Sequence, residues 1–284
     1  ALVTVAEIRR SLTTLLRDGK IDNAAFEADL LLCHELGWKR DHLFLNSEYP
    51  LSPHQAERLI TLARRRADRE PLAYVLGEWE FWGITLTVGP GCLVPRPETE
   101  LLVEVALSCF EEGLFLDWGT GSGCIAIAIA TERPSARGIA VDASSRALAF
   151  ARQNLLRYRL FDRIALWRES DPLHLLLDYA SLDLIVSNPP YIPTGKLKGL
   201  MPEVSLYEPK EALDGGEDGL TAYRPLLRAS SRFLRRGGFL AVEVGDKEQA
   251  DALREIDTGV MEFVDCVSDY AGVPRVCLWR RADL

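Results

Sequence analysis

The sequence predicts an α/β protein, a mainly parallel sheet flanked by helices and preceded by a small helical bundle and a β-hairpin. Three observations lead there. From Leu114 onward, apolar runs of strand length alternate with helical segments, the order of a sheet built from crossover units. Four successive runs end in a polar residue suited to ligand contact, all expected on one edge of the sheet. The first 70 residues carry helical periodicity instead.

The elements follow in order. Val5, Ile8, Leu12 and Leu15-Leu16 form one helical stripe, and Ala24 to Leu36 a denser one. Ser52 as N-cap, with Pro53 at the first helical position, opens a third helix containing Leu59, Ile60, Leu62 and Ala63. Breaks fall at Gly19 and from Gly37 through Pro50. Residues 1–70 are read as a bundle without a catalytic cluster; substrate recognition is its expected role and a stabilising cap the alternative. In residues 71–94, Trp79, Phe81, Ile84, Leu86 and Val88 alternate around Gly83, which predicts a β-hairpin linker. Residues 95–284 form the third segment. Pro97 is expected to start a helix with Glu98 and Glu100 at its positive end. Strands are expected at Leu114–Trp118, Gly138–Asp142, near Ile164 to Trp167, Leu182–Ser187 and Phe239–Val244. The last two, Met261–Val267 and Val273–Trp279, would form an antiparallel hairpin turning at Tyr270-Ala271-Gly272.

Two motifs carry chemistry. Gly119-Thr120-Gly121-Ser122-Gly123 stands between a strand and an apolar helix starting at Cys124, the general plan of a nucleotide-type site. Cys124 occupies the place of the third glycine of a dinucleotide fingerprint, and no Lys-Ser/Thr follows, so neither an NAD site nor a P-loop is indicated. Asp142 ends the next strand 21 residues after Gly121, the distance at which an acid reaches a ribose diol. Asp171, with Pro172, follows the third strand and is placed to accept from an adenine amine. The second motif, Asn188-Pro189-Pro190-Tyr191, follows the fourth strand. Its prolines stiffen the backbone. Asn188 Oδ1 and the Pro189 carbonyl offer two acceptors beside the flat Tyr191 ring, which suits a planar NH2 group. Each piece has a plainer reading: a turn for the glycines, a helix cap for Asp142, a turn for Asp171-Pro172, a loop anchor for the Asn-Pro-Pro-Tyr run. Their order and spacing together favour a ligand site.

Bulk properties narrow the field. The chain has 284 residues and a net charge of −9. Residues 1–75 hold 11 basic and 11 acidic groups, so the remainder carries the whole acidic excess. That is a poor match to a duplex phosphate backbone. Arg64-Arg65-Arg66 and Arg69 read as a solvated helix face. Six cysteines without a Cys-x-x-Cys pair read as buried thiols of a cytoplasmic protein, Cys124 packing against the first helix of the sheet domain. Four scattered histidines show no metal spacing. No apolar run approaches ~18 residues, and the first 30 lack a signal-peptide core.

An acidic residue just before Gly-x-Gly-x-Gly resembles the S-adenosylmethionine loop of class I methyltransferases, with Asp117 facing the ammonium of the methionine moiety directly or through water. Further segments sharpen this: Gly77-Glu78-Trp79-Glu80-Phe81-Trp82-Gly83, Val94-Pro95-Arg96-Pro97-Glu98-Thr99-Glu100, Glu208-Pro209, Ala212-Leu213, Gly215-Gly216-Glu217-Asp218-Gly219-Leu220 and Tyr223-Arg224. Together they resemble the PrmC/HemK family of protein-(glutamine-N5) methyltransferases. The resemblance implies a class I, Rossmann-like domain with a mainly parallel seven-stranded sheet. It implies methyl transfer from S-adenosylmethionine to the glutamine of the Gly-Gly-Gln motif in class 1 peptide chain release factors, in the cytoplasm, without metal, membrane or stable nucleic acid. Catalytic roles fall on Asn188, Pro189, Pro190 and Tyr191. Cofactor contacts fall on Asp117, Gly119, Thr120, Gly121, Ser122, Gly123, Asp142, Asp171, Pro172 and Asn188. Pro172 departs from members that carry an aromatic there against adenine. The alternatives are a nucleic-acid adenine- or cytosine-amino methyltransferase, whose motif is the same four residues, and a non-catalytic adenosylmethionine-binding interaction protein.

Overall fold

The computed structural model describes residues 2–283, which divide into two compact units. One unit runs to Glu78 and includes Met201–Tyr207; the other is Trp79–Leu200 with the chain from Glu208 onward.

The first unit holds β1 (Val3–Thr4), α1 (Val5–Asp18), α2 (Ala24–Leu36), α3 (Arg40–Leu45), β2 (Pro50–Leu51), α4 (Pro53–Ala67) and α5 (Leu72–Leu76). Local chemistry sets its main helix starts. Thr4 with Glu7 and Ser52 with Gln55 form capping boxes, each satisfying two otherwise unpaired N–H groups. Leu12, Leu16, Leu31, Leu32, Leu43 and Leu59 fill its core. Three features depart from the sequence expectation. α3 occupies the break from Gly37 to Pro50, anchored by buried Leu43. α5 lies in the segment expected to be hairpin only. The arginines near the end of α4 are only in part the solvated face expected: Arg64 and Arg65 are exposed, but the others are not. Arg66 is buried and bonds Glu27 (2.6 Å) and Glu203 (3.1 Å), while Arg69 reaches Glu203 at 2.7 Å and Arg65 pairs with Glu70 at 2.8 Å. Buried Asp29 likewise accepts from Arg9 and Arg40.

The second unit begins with the hairpin β3 (Glu78–Phe81) and β4 (Ile84–Thr87), followed by α6 (Thr99–Ser108). α6 starts two residues later than Pro97, because the carbonyls of Arg96 and Pro97 take only turn bonds from Thr99 and Glu100. Then come β5 (Leu114–Trp118), α7 (Cys124–Glu132), β6 (Arg137–Asp142), α8 (Ser145–Arg157), β7 (Ile164–Arg168), β8 (Leu182–Ser187), α9 (Tyr223–Phe233), β9 (Leu234–Glu243), α10 (Lys247–Arg254), β10 (Met261–Ser268) and β11 (Pro274–Arg281). The seven-stranded sheet has the order β10-β11-β9-β8-β5-β6-β7. β5, β6, β7, β8 and β9 pair in parallel, while β11 is antiparallel to both β9 and β10. Chain direction across the sheet reverses beside β5, since β6 and β7 lie on one side and β8 and β9 on the other. That switch point opens a crevice at the carboxyl ends of β5 and β8, where open α/β sheets bind ligands. Tyr223, Phe233 and Trp279 are the largest buried side chains of the core that also includes Leu116, Ile185 and Leu240.

Candidate functional site

The crevice contains a cavity of about 420 Å³. Trp118, Gly119, Thr120, Gly121 and Ser122 line it from β5, Asp142 from β6, and Asn188 and Pro190 from β8. The two motifs therefore share one cavity because their strands are hydrogen-bonded neighbours.

The loop after β5 is shaped by glycine. Gly119 (φ +75°) and Gly121 (φ +56°) take left-handed conformations that favour glycine. A Cβ on Gly121 would meet nothing within 4 Å, and one on Gly119 would touch only the Asn188 carbonyl, at 4.0 Å. The backbone is thus bare toward the cavity. The Gly121 N–H donates to Asp142 Oδ2 (2.9 Å), and the Ser144 N–H to Oδ1 (2.9 Å). Both oxygens retain lone pairs for a ligand hydroxyl. Burial raises the Asp142 pKa against those N–H bonds. The helix cap of α8 is Ser144, so the plainer reading of Asp142 as a cap does not apply.

Asp117 does not line the cavity; its neighbours Trp118 and Gly119 do. It is fully buried. Its Oδ2 accepts from Thr120 Oγ1 (2.7 Å) and the Ala126 N–H (3.2 Å), while Oδ1 has no hydrogen-bond partner among the described residues. Burial lifts its pKa to about 7 against the Thr120 and Ala126 bonds. Gly123 (φ +85°) ends the loop as the N-cap of α7 and does not line the cavity. Cys124 does line it, in addition to packing in the core; burial pushes its thiol up to about 12, so it stays protonated and is no nucleophile. Three of the six cysteines, Cys33, Cys109 and Cys266, are only half-buried.

After β7 the cavity is lined by Glu169, Ser170 and Pro172 but not by Asp171. Asp171 caps a short 3-10 helix through Leu173 N–H (2.9 Å) and faces His174 at 3.6 Å. After β8, Pro189 and Tyr191 do not line the cavity either. Tyr191 turns the other way: its hydroxyl donates to Glu243 Oε2 (3.1 Å), and burial with that carboxylate raises its pKa. The hydroxyl is thus engaged by Glu243, and the ring is outside the cavity lining. Asn188 Nδ2 reaches Thr99 Oγ1 at 3.4 Å, and Thr99 donates to Glu243 Oε1 at 2.6 Å.

Four supporting groups had no role assigned from the sequence. Thr99 lines the cavity from α6. Buried Glu243 ends β9, and an acid closing an otherwise apolar run was the available signal. Buried Asn154 accepts from Thr87 N–H (2.7 Å) and donates to the carbonyls of Thr87 (3.0 Å) and Ser122 (2.8 Å), tying β4 and α8 to the glycine loop. Glu208 also fixes one wall, accepting from Val94 N–H (2.9 Å) and Arg96 Nη2 (2.6 Å). Among the described residues no cluster of His, Cys, Asp or Glu could hold a metal ion, and no helix is long and apolar enough to cross a membrane.

Strand order, antiparallel last strand and strand-end cavity define a class I methyltransferase fold. The model of the PrmC N-terminal domain matches residues 7–77, and that of the methyltransferase small domain matches residues 97–217. The chain is 43% identical over 260 residues to a release factor glutamine methyltransferase of Geobacter sulfurreducens, covering 90% of this chain and 89% of that one. It is 38% identical over 282 residues to another of Nitratidesulfovibrio vulgaris, covering 98% and 95%. A methyltransferase structure from Pyrococcus furiosus shares the fold, with a TM-score of 0.53 at 16% identity, covering 81% of this chain and 100% of that one. The chain belongs to the release factor glutamine methyltransferase family.

Proposed function

We propose that the chain transfers a methyl group from S-adenosylmethionine to the side-chain amide nitrogen of the glutamine in the Gly-Gly-Gln motif of class 1 release factors. One observation carries the reading: the glycine loop with Asp142 and the Asn188-Pro190 rim open into a single cavity. Cofactor and acceptor amide would thereby meet.

The residues present fit the cofactor. Bare backbone at Gly119 and Gly121 admits close approach, Asp142 has lone pairs for ribose hydroxyls, and Asp117 Oδ1 lacks the donor that an ammonium, directly or through water, would supply. When bound, the cofactor supplies an electrophilic methyl on a sulfonium, with a neutral leaving group. The remaining difficulty lies with the acceptor. An amide nitrogen is a weak nucleophile because its lone pair is delocalised into the carbonyl. Asn188 Oδ1, on a residue that lines the cavity, would accept one amide N–H bond and the Pro189 carbonyl, on a residue outside the lining, the other, fixing the nitrogen's direction and polarising it. The apolar walls at Val94, Pro95 and Pro190 would exclude water. No strong base is needed before transfer, since the proton becomes acidic only once nitrogen gains the methyl. Tyr191, bonded to Glu243, would support the rim from behind.

The test is mass spectrometry of a release factor incubated with the protein and isotope-labelled S-adenosylmethionine. The expected result is one labelled methyl on the Gly-Gly-Gln glutamine. Label on adenine or cytosine of nucleic acid, with none on the release factor, would replace the reading by its closest alternative.

A further inference from the structure

We infer that Thr99, held by Glu243, is a positioning residue that sets which end of the Asn188 side-chain amide faces the acceptor. The inference rests on the acceptor role proposed for Asn188. The amide's oxygen and nitrogen have the same shape, so only bonding partners decide its orientation. If it were flipped, Asn188 would offer an NH2 to an NH2, two donors facing each other, and the acceptor would be misoriented.

The selection follows from counting protons. A threonine hydroxyl has one proton and can donate once. Burial raises the Glu243 pKa while its bonds to Thr99 and Tyr191 lower it; with the carboxylate ionised, Thr99, 2.6 Å from Oε1, spends that proton on it. Its other contact, with Asn188 at 3.4 Å, can then only be accepted. The Asn188 NH2 must therefore face Thr99, leaving Oδ1 toward the cavity. Glu243 is itself held. Its Oε2 takes the Tyr191 hydroxyl at 3.1 Å, and its backbone carbonyl accepts from the Tyr223 hydroxyl at 2.6 Å. Thr99 and Glu243 are both almost fully buried, so water does not compete for these bonds. The chain of contacts Tyr191–Glu243–Thr99–Asn188 joins α6, β9 and the turn after β8. It also gives Tyr191 a task at the site without touching the amide.

The experiment uses the full-length protein and the variants Thr99→Val, Thr99→Ser and Thr99→Ala, each first checked for a melting temperature near wild type. Two readouts separate the parts. The first is the Asn188 side-chain NH2 signal in ¹⁵N NMR of ligand-free protein. It is expected to shift and exchange faster in Thr99→Val and Thr99→Ala but not in Thr99→Ser. The second is kinetics on a release factor. Removing a partner that orients a reacting group typically costs about 10–100-fold. Thr99→Val is expected to lose roughly that in kcat, with KM for the release factor and affinity for S-adenosylhomocysteine little changed, and Thr99→Ser is expected to restore it. On an Asn188→Ala background, Thr99→Val should add almost nothing, because it acts through Asn188. An unmoved Asn188 signal in folded Thr99→Val overturns the inference whatever the protein methylates. A moved signal with unchanged kcat, or an equal loss on the Asn188→Ala background, overturns the positioning role. A wild-type protein that leaves the release factor unmodified sinks the proposed substrate instead, and the NMR readout still decides the orientation.

Discussion

If Asp117 meets the cofactor's ammonium as proposed, it couples cofactor binding to pH, and the size of the coupling follows from its surroundings. Burial raises its pKa from 3.8 to about 7 in the ligand-free protein, although Thr120 and Ala126 bond one oxygen. The folded value lies above the unfolded one, so the folded state binds this proton more tightly. Asp117's contribution to stability is thus fully present below about pH 4 and is lost as pH rises toward about 7. A displacement of about three pH units corresponds to on the order of 4 kcal/mol at most. Binding runs the other way. An ammonium at the unpartnered Oδ1 needs the carboxylate, so affinity should rise with pH by up to about tenfold per unit and level off above about 7. Asp117→Asn keeps the shape. Its oxygen must face the two donors at Thr120 and Ala126, which turns its NH2 to where the ammonium would sit. The variant should bind roughly 10–100-fold more weakly, with no pH dependence from this site. The assay is calorimetry of S-adenosylhomocysteine binding from pH 5.5 to 8.5, in two buffers of different ionisation heat, to count released protons. Affinity constant across that range with no proton released would refute the assignment of Asp117 to the ammonium.

Three further outcomes are expected. Asn188→Ala should lower single-turnover methylation by about 2.7–4 kcal/mol of barrier, the scale of a lost orienting bond at a reacting centre, while release-factor affinity holds; a near-normal rate would remove Asn188 from the chemistry. Asn154→Leu breaks three bonds at a buried site and should cost about 2–4 kcal/mol in urea unfolding, and it should weaken S-adenosylhomocysteine binding by loosening the glycine loop. Deleting residues 1–70 should spare cofactor binding and depress methylation of intact release factor far more than that of a Gly-Gly-Gln peptide; equal losses in a folded truncation would make those residues a structural cap.

What could be read from the sequence was what local chemistry decides. α2 spans the run that periodicity marked and α4 begins at the Ser52-Pro53 start, because caps and apolar stripes act within a few residues. The glycine loop and Asp142 were legible for the same reason: strand, turn and helix form one short unit. What escaped were partnerships across long sequence distances. Arg66 looked solvated because its partners Glu27 and Glu203 lie 39 and 137 residues away. Thr99 stood inside a segment already singled out, but its bond to Glu243 spans 144 residues. Tyr191 read as a stacking wall, and its hydroxyl's partner, Glu243, lies 52 residues on. Asp171 sat next to the right residues, and the backbone of its own short helix took its carboxylate.

The acceptor side of the proposed site is held by bonds from several elements, and the chemistry gives a reason for it. In the proposed function, cofactor affinity would come from several contacts spread over Asp117, the glycine loop and Asp142, so a small misplacement of one would be tolerable. Orientation of the poor nucleophile would rest on the two proposed acceptors, and a misplacement of about 1 Å there can cost on the order of 100-fold. The chain answers with covalent and hydrogen-bonded stiffness at that one place. Two consecutive prolines, Pro189 and Pro190, restrict the backbone of the rim itself. The Tyr191 carbonyl is held by Gln249 Nε2 at 3.0 Å and its hydroxyl by Glu243. Asn188 is tied to α6 through Thr99. The same reasoning accounts for a tyrosine that faces away from the cavity: anchored at both its carbonyl and its hydroxyl, it fixes the turn that presents Asn188, and a residue free to stack on the substrate would leave that turn with one restraint fewer.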